Sequence, residues 1–234
     1  MGENVQFQSN GRTTDGYLAI PAKGSGPGVV VIQEWWGLVD HIKDVCDRFA
    51  NEGFIALAPD LYHGKVARSP DEAGKMMMAL RIDEAEKDLQ GAVDYLLAHE
   101  ATSAGKVGTV GFCMGGALSL YAASKNSNVG ACVVFYGIHP KVKPDLPNLQ
   151  APVLGIYAEH DKSTPPAAVH QLEAELDALG KSIEVHIYPG TDHAFFNDTR
   201  PTVYNADAAA DAWRRTLEFF RSNLSGQTVS TTSR

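Results

Sequence analysis

The segment Val107-Gly-Thr-Val-Gly-Phe-Cys-Met-Gly-Gly-Ala-Leu-Ser119 is the strongest indication of how this chain folds. A β-branched run, typical of a strand, leads towards Cys113, and a segment rich in alanine and leucine, typical of a helix, follows it. A strand that reverses sharply into a helix strains the residue at the turn, and Gly111 and Gly115 remove the Cβ atoms that would collide there. The spacing predicts a nucleophile elbow, G-x-nucleophile-x-G, with Cys113 in the position that serine usually takes. Taken alone, the stretch is also compatible with a glycine-rich turn around a small buried cysteine.

The rest of the chain repeats this alternation of strand and helix. Apolar runs of the kind buried on both faces of a sheet occupy residues 28–32, 54–57, 107–110, 129–135 and 152–157, and an alternating run occupies 183–188. Apolar residues spaced three and four apart predict amphipathic helices over 42–49, 82–97, 169–179 and 209–220. We therefore expect one α/β domain over residues 1–224, a three-layer sandwich built on a mostly parallel sheet, followed by a polar, frayed tail at 225–234.

Local signals predict several boundaries of these elements. The opening runs at 5–8 and 17–20 predict an antiparallel hairpin at one edge of the sheet. The sequence Ser69-Pro-Asp-Glu72 is a capping box with proline at the first helical position. Gly53 and Gly180 stand where helices should end.

Two further strand ends carry the partners that a nucleophile needs. Asp161 follows the 152–157 run, and His193 follows the 183–188 run. Because functional residues of a parallel α/β sheet collect in loops at the carboxyl ends of its strands, these side chains and Cys113 should meet at one edge. Nucleophile, acid and base in this chain order are typical of the α/β-hydrolase triad. We expect His193 to take the thiol proton and Asp161 to orient the imidazole.

The composition argues against several classes of function. The 234 residues contain 20 Lys and Arg against 28 Asp and Glu, a net charge of −8 that a nucleic-acid backbone or an anionic membrane would on average repel. The sequence has neither an apolar stretch of transmembrane length nor a signal peptide, so we expect a soluble cytoplasmic protein, monomeric or a small homo-oligomer. Three cysteines without a CxxC motif exclude a disulfide scaffold and argue against a metal site. Of these, Cys46 and Cys132 lie in apolar segments and are expected in the core.

The histidines outside the predicted triad lack the spacing of metal ligands and are expected in solvated or hydrogen-bonded structural roles. They are His41, His63, His99, His139, His170 and His186. His160 and Asp192, the neighbours of the predicted acid and base, are expected to make local hydrogen bonds.

Together these motifs resemble the dienelactone hydrolase family, a branch of the α/β-hydrolases that carries a Cys-His-Asp triad. The residues that carry the resemblance are Val31-Ile-Gln-Glu-Trp-Trp-Gly37, Ala58-Pro-Asp-Leu-Tyr62, Gly111-Phe-Cys-Met-Gly-Gly116, the Asp161 loop and Gly190-Thr-Asp-His-Ala-Phe195. They span most of the chain. The resemblance implies a carboxylic ester hydrolase that needs no cofactor and acts on a small-molecule ester or lactone.

The resemblance also implies roles beside the triad. In the family, the glutamate at the position of Glu34 interacts with the resting thiol and swings when substrate binds, which generates the thiolate. A carboxylate near a thiol in a poorly solvated site does disfavour the thiolate, because like charges repel; the alternative is a glutamate exposed on a loop. The backbone N–H of Met114, at the start of the elbow helix, is an expected oxyanion donor. The N–H of Trp35 resembles the second donor of the family.

One departure from the family bears on the substrate. Members that act on dienelactones place an arginine four residues after the catalytic histidine to bind the substrate carboxylate, whereas this chain has Asn197 there and Arg200 three residues further on. Candidate substrate contacts are therefore Asn197 itself and, as a second anion-binding residue, Arg81, with Arg68 in the same region as the alternative. Trp36 and Tyr136 are candidate pocket walls, with ordinary packing as their alternative.

The connection at 137–150 is too short for a cap domain, so we expect an open site suited to small esters or lactones. The leading hypothesis is hydrolysis through an acyl-thioester on Cys113. The alternatives are a broad carboxylesterase with promiscuous activity and, from a different class, a non-catalytic redox-sensing or binding protein with a reactive thiol.

Overall fold

The computed structural model describes residues 1–137 and 139–224; the expected tail at 225–234 lies outside the described residues. Within these ranges, one sheet contains β1 (Glu3–Ser9), β2 (Arg12–Ala19), β3 (Gly28–Ile32), β4 (Ile55–Pro59), β5 (Val107–Phe112), β6 (Val129–Phe135), β7 (Val153–Ala158) and β8 (Ile183–Tyr188). The α-helices in the same ranges are α1 (Asp40–Asn51), α2 (Pro70–Ala79), α3 (Ile82–Ala98), α4 (Met114–Lys125), α5 (Pro166–Ala178) and α6 (Ala206–Leu224). None of these described helices is both long and apolar enough to cross a membrane.

The sheet is mostly parallel, as predicted. Its strands lie in the order β1-β2-β4-β3-β5-β6-β7-β8. All pairs from β4 to β8 are parallel, whereas β1–β2 and β2–β4 are antiparallel, so the hairpin at one edge is also confirmed. The register pairs Ile32 with Gly111 and Phe112 with Phe135. The elbow at the end of β5 therefore lies between the carboxyl ends of β3 and β6.

Two apolar clusters cover opposite faces of the sheet and give the three expected layers. Val29 and Val31 belong to one cluster and Val30 to the other, because alternate residues of a strand point to opposite faces. The first cluster includes α1 and α6, whose Phe49 and Trp213 rings lie 4.5 Å apart. Helices α3, α4 and α5 contribute to the second cluster. Between β6 and β7 the described residues form a single 3-10 turn and no cap domain.

The boundary signals in the sequence are confirmed. The Oγ atom of Ser69 accepts a hydrogen bond from the backbone N–H of Glu72 at 3.2 Å, and Pro70 is the first residue of α2. Gly53 and Gly180 adopt φ angles of +93° and +67° just after α1 and α5. A glycine with positive φ is the usual end of a helix because it carries no Cβ to clash.

Candidate active site

Cys113 occupies the turn between β5 and α4. Its backbone has φ 55° and ψ −119°, which a residue with a Cβ rarely adopts, and it is the N-cap residue of α4. A Cβ atom on Gly111 would lie 1.9 Å from the carbonyl oxygen of Gly115. One on Gly115 would lie 2.3 Å from the carbonyl oxygen of Ile32. The strained turn therefore needs both glycines, and it holds the thiol at a helix N-terminus, where negative charge is favoured.

The two peptide groups expected as oxyanion donors belong to segments that meet at the elbow. Met114 is the first residue of α4, and the N–H groups of a first turn have no acceptor inside their own helix. The end of β3 packs against the elbow, because a Cβ on Gly115 would collide with the carbonyl oxygens of both Ile32 and Gln33. Trp35 follows two residues later, in the loop beside the elbow. Both positions suit donors to an oxyanion formed at Cys113.

His193 and Asp161 lie together at the ends of β8 and β7. The Nδ1 atom of His193 lies 2.6 Å from Oδ2 of Asp161. The other oxygen of Asp161 accepts hydrogen bonds from the backbone N–H groups of Ser163 (2.7 Å) and Thr164 (3.0 Å). Cys113 is 8% exposed, Asp161 is 2% exposed and the side chain of His193 is 24% exposed. The three side chains are thus largely buried, with His193 as the most accessible of them, and the openness of the site stays a prediction.

The electrostatics tie His193 to both neighbours. Burial lowers the pKa of His193, but hydrogen bonding to Asp161 and to Cys113 outweighs it and raises the pKa to about 10. Burial raises the pKa of Asp161, but the bonds from His193, Thr164 and Ser163 outweigh that effect and lower it below its ordinary value. The imidazole therefore lies between a carboxylate and a thiol, as a base oriented by an acid must.

Glu34 is buried in the same site rather than exposed on a loop. It is 1% exposed, and its Oε2 atom accepts a hydrogen bond of 2.9 Å from the side-chain amide of Asn197. Its Oε1 atom has no hydrogen-bond partner among residues 1–137 and 139–224. Asn197 is itself buried, and its amide is directed at Glu34. The position expected to contact substrate therefore contacts a protein carboxylate.

Tyr136 lies beneath the triad rather than along an open pocket. It follows β6 with φ +38°, is fully buried, and packs its ring against His193 with centroids 5.0 Å apart. Its hydroxyl finds no partner in the described part of the chain. Burial, followed by the charges of Glu34 and Cys113, raises the pKa of Tyr136, and the positive charge of Arg200 partly offsets this. The phenol is a neutral hydrogen-bond donor that faces the reacting groups.

The two tryptophans are half-buried and pack edge to face, with ring centroids 5.3 Å apart. The ring of Trp35 lies against α2, since a Cβ on Gly74 would be 3.8 Å from its Cζ3 atom. The carbonyl oxygen of Trp36 accepts a hydrogen bond from Ala67. The ring of Trp35 thus serves the packing of α2, and a role of Trp36 as a pocket wall stays a prediction.

Arg81 has no described contact with a triad residue. Its guanidinium binds Asp83 at 2.8 Å and Glu84 at 3.2 Å, and its side chain is 65% exposed. It lines a cavity of about 270 Å³ whose lining also includes Tyr62. A role for Arg81 in substrate binding therefore stays a prediction.

Sequence reasoning missed two buried neighbours of the site. The hydroxyl of Tyr62 donates to the sulfur of Met114 at 3.3 Å, and burial followed by the charge of Cys113 raises the pKa of Tyr62. His41 is 4% exposed and neither of its ring nitrogens has a hydrogen-bond partner among the described residues, so the expected solvated or hydrogen-bonded role is not observed; its Nδ1 lies 3.4 Å from Oδ1 of Asp198. One signal was available for His41, because it lies four residues before Val45 on the apolar stripe of α1.

The other two cysteines lie in the hydrophobic core. Cys46 and Cys132 are fully buried free thiols, as expected, and burial raises the pKa of both, that of Cys132 to about 11. No group of three or more His, Cys, Asp or Glu side chains in the described ranges is arranged to hold a metal ion.

Comparison with known proteins gives a consistent result. The model of the dienelactone hydrolase family matches residues 14–224. A protein of Aquifex pyrophilus named "Protein usf" is 43% identical over 231 residues, which cover 96% of this chain and 100% of that protein. A "Putative carboxymethylenebutenolidase" of Aquifex aeolicus is 38% identical with the same coverage. The crystal structure of a "Putative Dienelactone Hydrolase" from Klebsiella pneumoniae has a TM-score of 0.85 and 30% identity, covering 94% of this chain and 98% of that one.

Proposed function

The chain belongs to the dienelactone hydrolase family of carboxylic ester hydrolases, and on that premise we propose that it hydrolyses small esters or lactones through an acyl-thioester on Cys113. The observation that carries the proposal is the position of His193, whose Nδ1 atom lies 2.6 Å from the buried carboxylate of Asp161 and whose pKa is raised both by Asp161 and by Cys113 on the strained elbow. Nucleophile, base and orienting acid are thus linked in the order that acyl transfer requires.

In the first half of the reaction His193 takes the proton of the Cys113 thiol, and the sulfur attacks the acyl carbon. The carbonyl oxygen becomes an oxyanion, which accepts hydrogen bonds from the backbone N–H groups of Met114 and Trp35. The bond to the leaving oxygen then breaks, and His193 returns its proton to that oxygen. The products of this half are an alcohol, or the opened end of a lactone, and a thioester.

In the second half His193 takes a proton from water, and the hydroxide attacks the thioester. The C–S bond breaks, the acid is released and the proton returns to sulfur. Asp161 keeps the Nδ1 atom of His193 as a donor throughout, so that Nε2 is the atom that moves the proton. Every step uses side chains of this chain and water.

Glu34 controls the resting state in this proposal. Its charge opposes formation of the thiolate, whereas the imidazolium form of His193 favours it. A substrate that displaces the carboxylate removes the opposing charge just when the nucleophile is needed. Two observations support this role. Glu34 is buried, and its charge, like that of Cys113, raises the pKa of the Tyr136 phenol.

Thioester chemistry favours particular substrates. A thiolate leaves more readily than an amine, so amides are poor substrates, and enol esters, phenol esters and strained lactones are good ones. One observation favours the broader carboxylesterase as a second candidate: the amide of Asn197 donates to Glu34 and carries no charge, so this position offers no cation to a substrate carboxylate.

A burst experiment tests the proposal. Nitrophenyl acetate should release one equivalent of nitrophenol per protein in a fast phase, and mass spectrometry should find one acetyl group on Cys113. Cys113→Ala should lose both the burst and turnover, while Cys132→Ala, a change at a buried thiol, should keep them. Oxidation of Cys113 without any turnover would instead support the redox sensor.

A further inference from the structure

The hydrogen bonds of Asn197 define which way its amide points. Its Oδ1 atom accepts from the backbone N–H of Thr199 at 3.1 Å and from the Thr199 hydroxyl at 2.7 Å. A backbone N–H can only donate, so this end of the amide must be the oxygen. The NH₂ end therefore faces Glu34, whose Oε2 atom accepts at 2.9 Å.

This single bond is what the structure provides for the Glu34 carboxylate. The group is 1% exposed, and its Oε1 atom lacks a partner among the residues that the structure describes. A buried carboxylate with one satisfied oxygen is costly to keep charged, because solvation by water is lost and little replaces it. The resting position of Glu34 thus depends on Asn197.

The amide is anchored on the loop that carries the base. The backbone N–H of Asn197 donates to the carbonyl oxygen of Ala194 at 3.0 Å, and Ala194, which adopts φ +69°, follows His193 directly. Asn197 therefore connects the loop of His193 with the end of β3, across 163 residues of sequence.

Several charged or titratable groups belong to the same site. The elbow contributes Cys113, Tyr136 directly follows β6, the loop after β7 contributes Asp161, and the loop after β8 contributes His193 and Arg200. Behind Asn197, the side chain of Asp198 faces His41 of α1. Asn197 carries no charge and does not titrate, so it can hold the carboxylate without neutralising its charge.

We propose that Asn197 is a positioning residue that holds the Glu34 carboxylate in its resting place and thereby restrains ionisation of Cys113. The inference rests on the proposed function, in which Cys113 is the nucleophile and Glu34 opposes its thiolate. Without the amide, the Glu34 carboxylate loses its hydrogen-bond donor and is free to leave its resting place. Its departure removes a negative charge from the surroundings of the thiol and favours the thiolate.

The test is the rate at which iodoacetamide alkylates Cys113, measured against pH and assigned by peptide mass. Asn197→Ala should raise the rate at neutral pH about tenfold, which corresponds to a displacement of the profile by about one pH unit. Glu34→Gln should do the same. In the double variant the two effects should not add, because Asn197 acts through Glu34.

Two further variants keep the test decisive. Thr199→Val removes only the hydroxyl that holds Oδ1, at an exposed residue, and should give a smaller increase even if Asn197→Ala fails to fold. Asn205→Ala is the matched control, since Asn205 lies on the same segment and caps the backbone of Ala208 instead; its profile should match the wild type.

Two outcomes overturn the inference. The first is an unchanged profile in folded Asn197→Ala, or in Thr199→Val if that is the only folded variant. The second is an effect of Asn197→Ala on the alkylation rate that is as large in the Glu34→Gln background as in the wild type. Alkylation needs no turnover, so a wild type without a nitrophenol burst would refute the proposed function separately.

Discussion

The phenol ring of Tyr136 supports the imidazole of His193, with the ring centroids 5.0 Å apart. The tyrosine is fully buried and holds a φ of +38°, which costs on the order of 1 kcal/mol for a residue with a side chain. Its backbone N–H donates to the carbonyl oxygen of Ile156 at 2.7 Å, so β7 holds it in this conformation. Strain at this position is consistent with a support that fixes the base above the nucleophile.

Removal of the Tyr136 hydroxyl should separate support from chemistry. Tyr136→Phe keeps the ring against His193 and deletes a buried hydroxyl that has no partner in the described ranges. The free energy of unfolding should therefore stay within about 1 kcal/mol of the wild type or rise. Turnover of an aryl ester should fall about tenfold if the hydroxyl donates to the reacting ester.

Tyr157→Phe is the matched control, because that phenol is also buried but lies near Cys132. Its turnover should equal the wild type. A Tyr136→Phe variant with full activity would show that only the ring matters.

The His193–Asp161 bond predicts how stability depends on pH. The folded-state pKa of His193, about 10, lies above its unfolded value of about 6.5. The contribution of protonated His193 to the stability of the folded protein is therefore complete below about pH 6.5 and is lost as the pH rises towards 10. The pKa of Asp161 is lowered, so its contribution to stability depends on pH in the opposite direction: it is present above about pH 4 and is lost as the pH falls further.

Asp161→Asn should remove both contributions. Urea unfolding should show a deficit of about 2 kcal/mol near pH 6 that shrinks steadily as the pH approaches 10. A deficit that stays constant over this range would mean that the two side chains do not share a proton-dependent bond in the folded protein.

The elbow glycines predict a large local cost. A Cβ on Gly111 would lie 1.9 Å from the oxygen of Gly115, so Gly111→Ala must push apart two backbone segments. The loss should be about 3 kcal/mol or more in urea unfolding, with activity lost as well. Gly105→Ala is the control: its Cβ would meet no described atom within 4 Å, and stability should change by less than about 0.5 kcal/mol. Equal costs for the two variants would show that the elbow is not strained.

The elbow and the positions of Asp161 and His193 could be predicted because they follow from local rules. Glycine spacing is written in five consecutive residues, and the ends of parallel strands meet at one edge whatever the rest of the chain does. The hydrogen bond between Asn197 and Glu34 could not be predicted from the sequence, since no periodicity relates residues 163 positions apart. The pairing of Arg81 is a different case: Asp83 and Glu84 follow it directly and compete for its charge, a signal that the sequence contains.

These placements predict which arginine discriminates among substrates. Arg200 is half-buried, and its charge acts on the phenol of Tyr136, whereas Arg81 is paired elsewhere. Arg200→Gln should raise KM about tenfold for an aryl ester whose acyl group carries a free carboxylate and leave the matching neutral ester unchanged, because only the anion loses an attraction. Arg81→Gln, measured in the same way, tests the role predicted for Arg81. The ratio of kcat/KM between the two esters is the measurement, and equal effects of Arg200→Gln on both would show that its charge does not reach the bound acyl group.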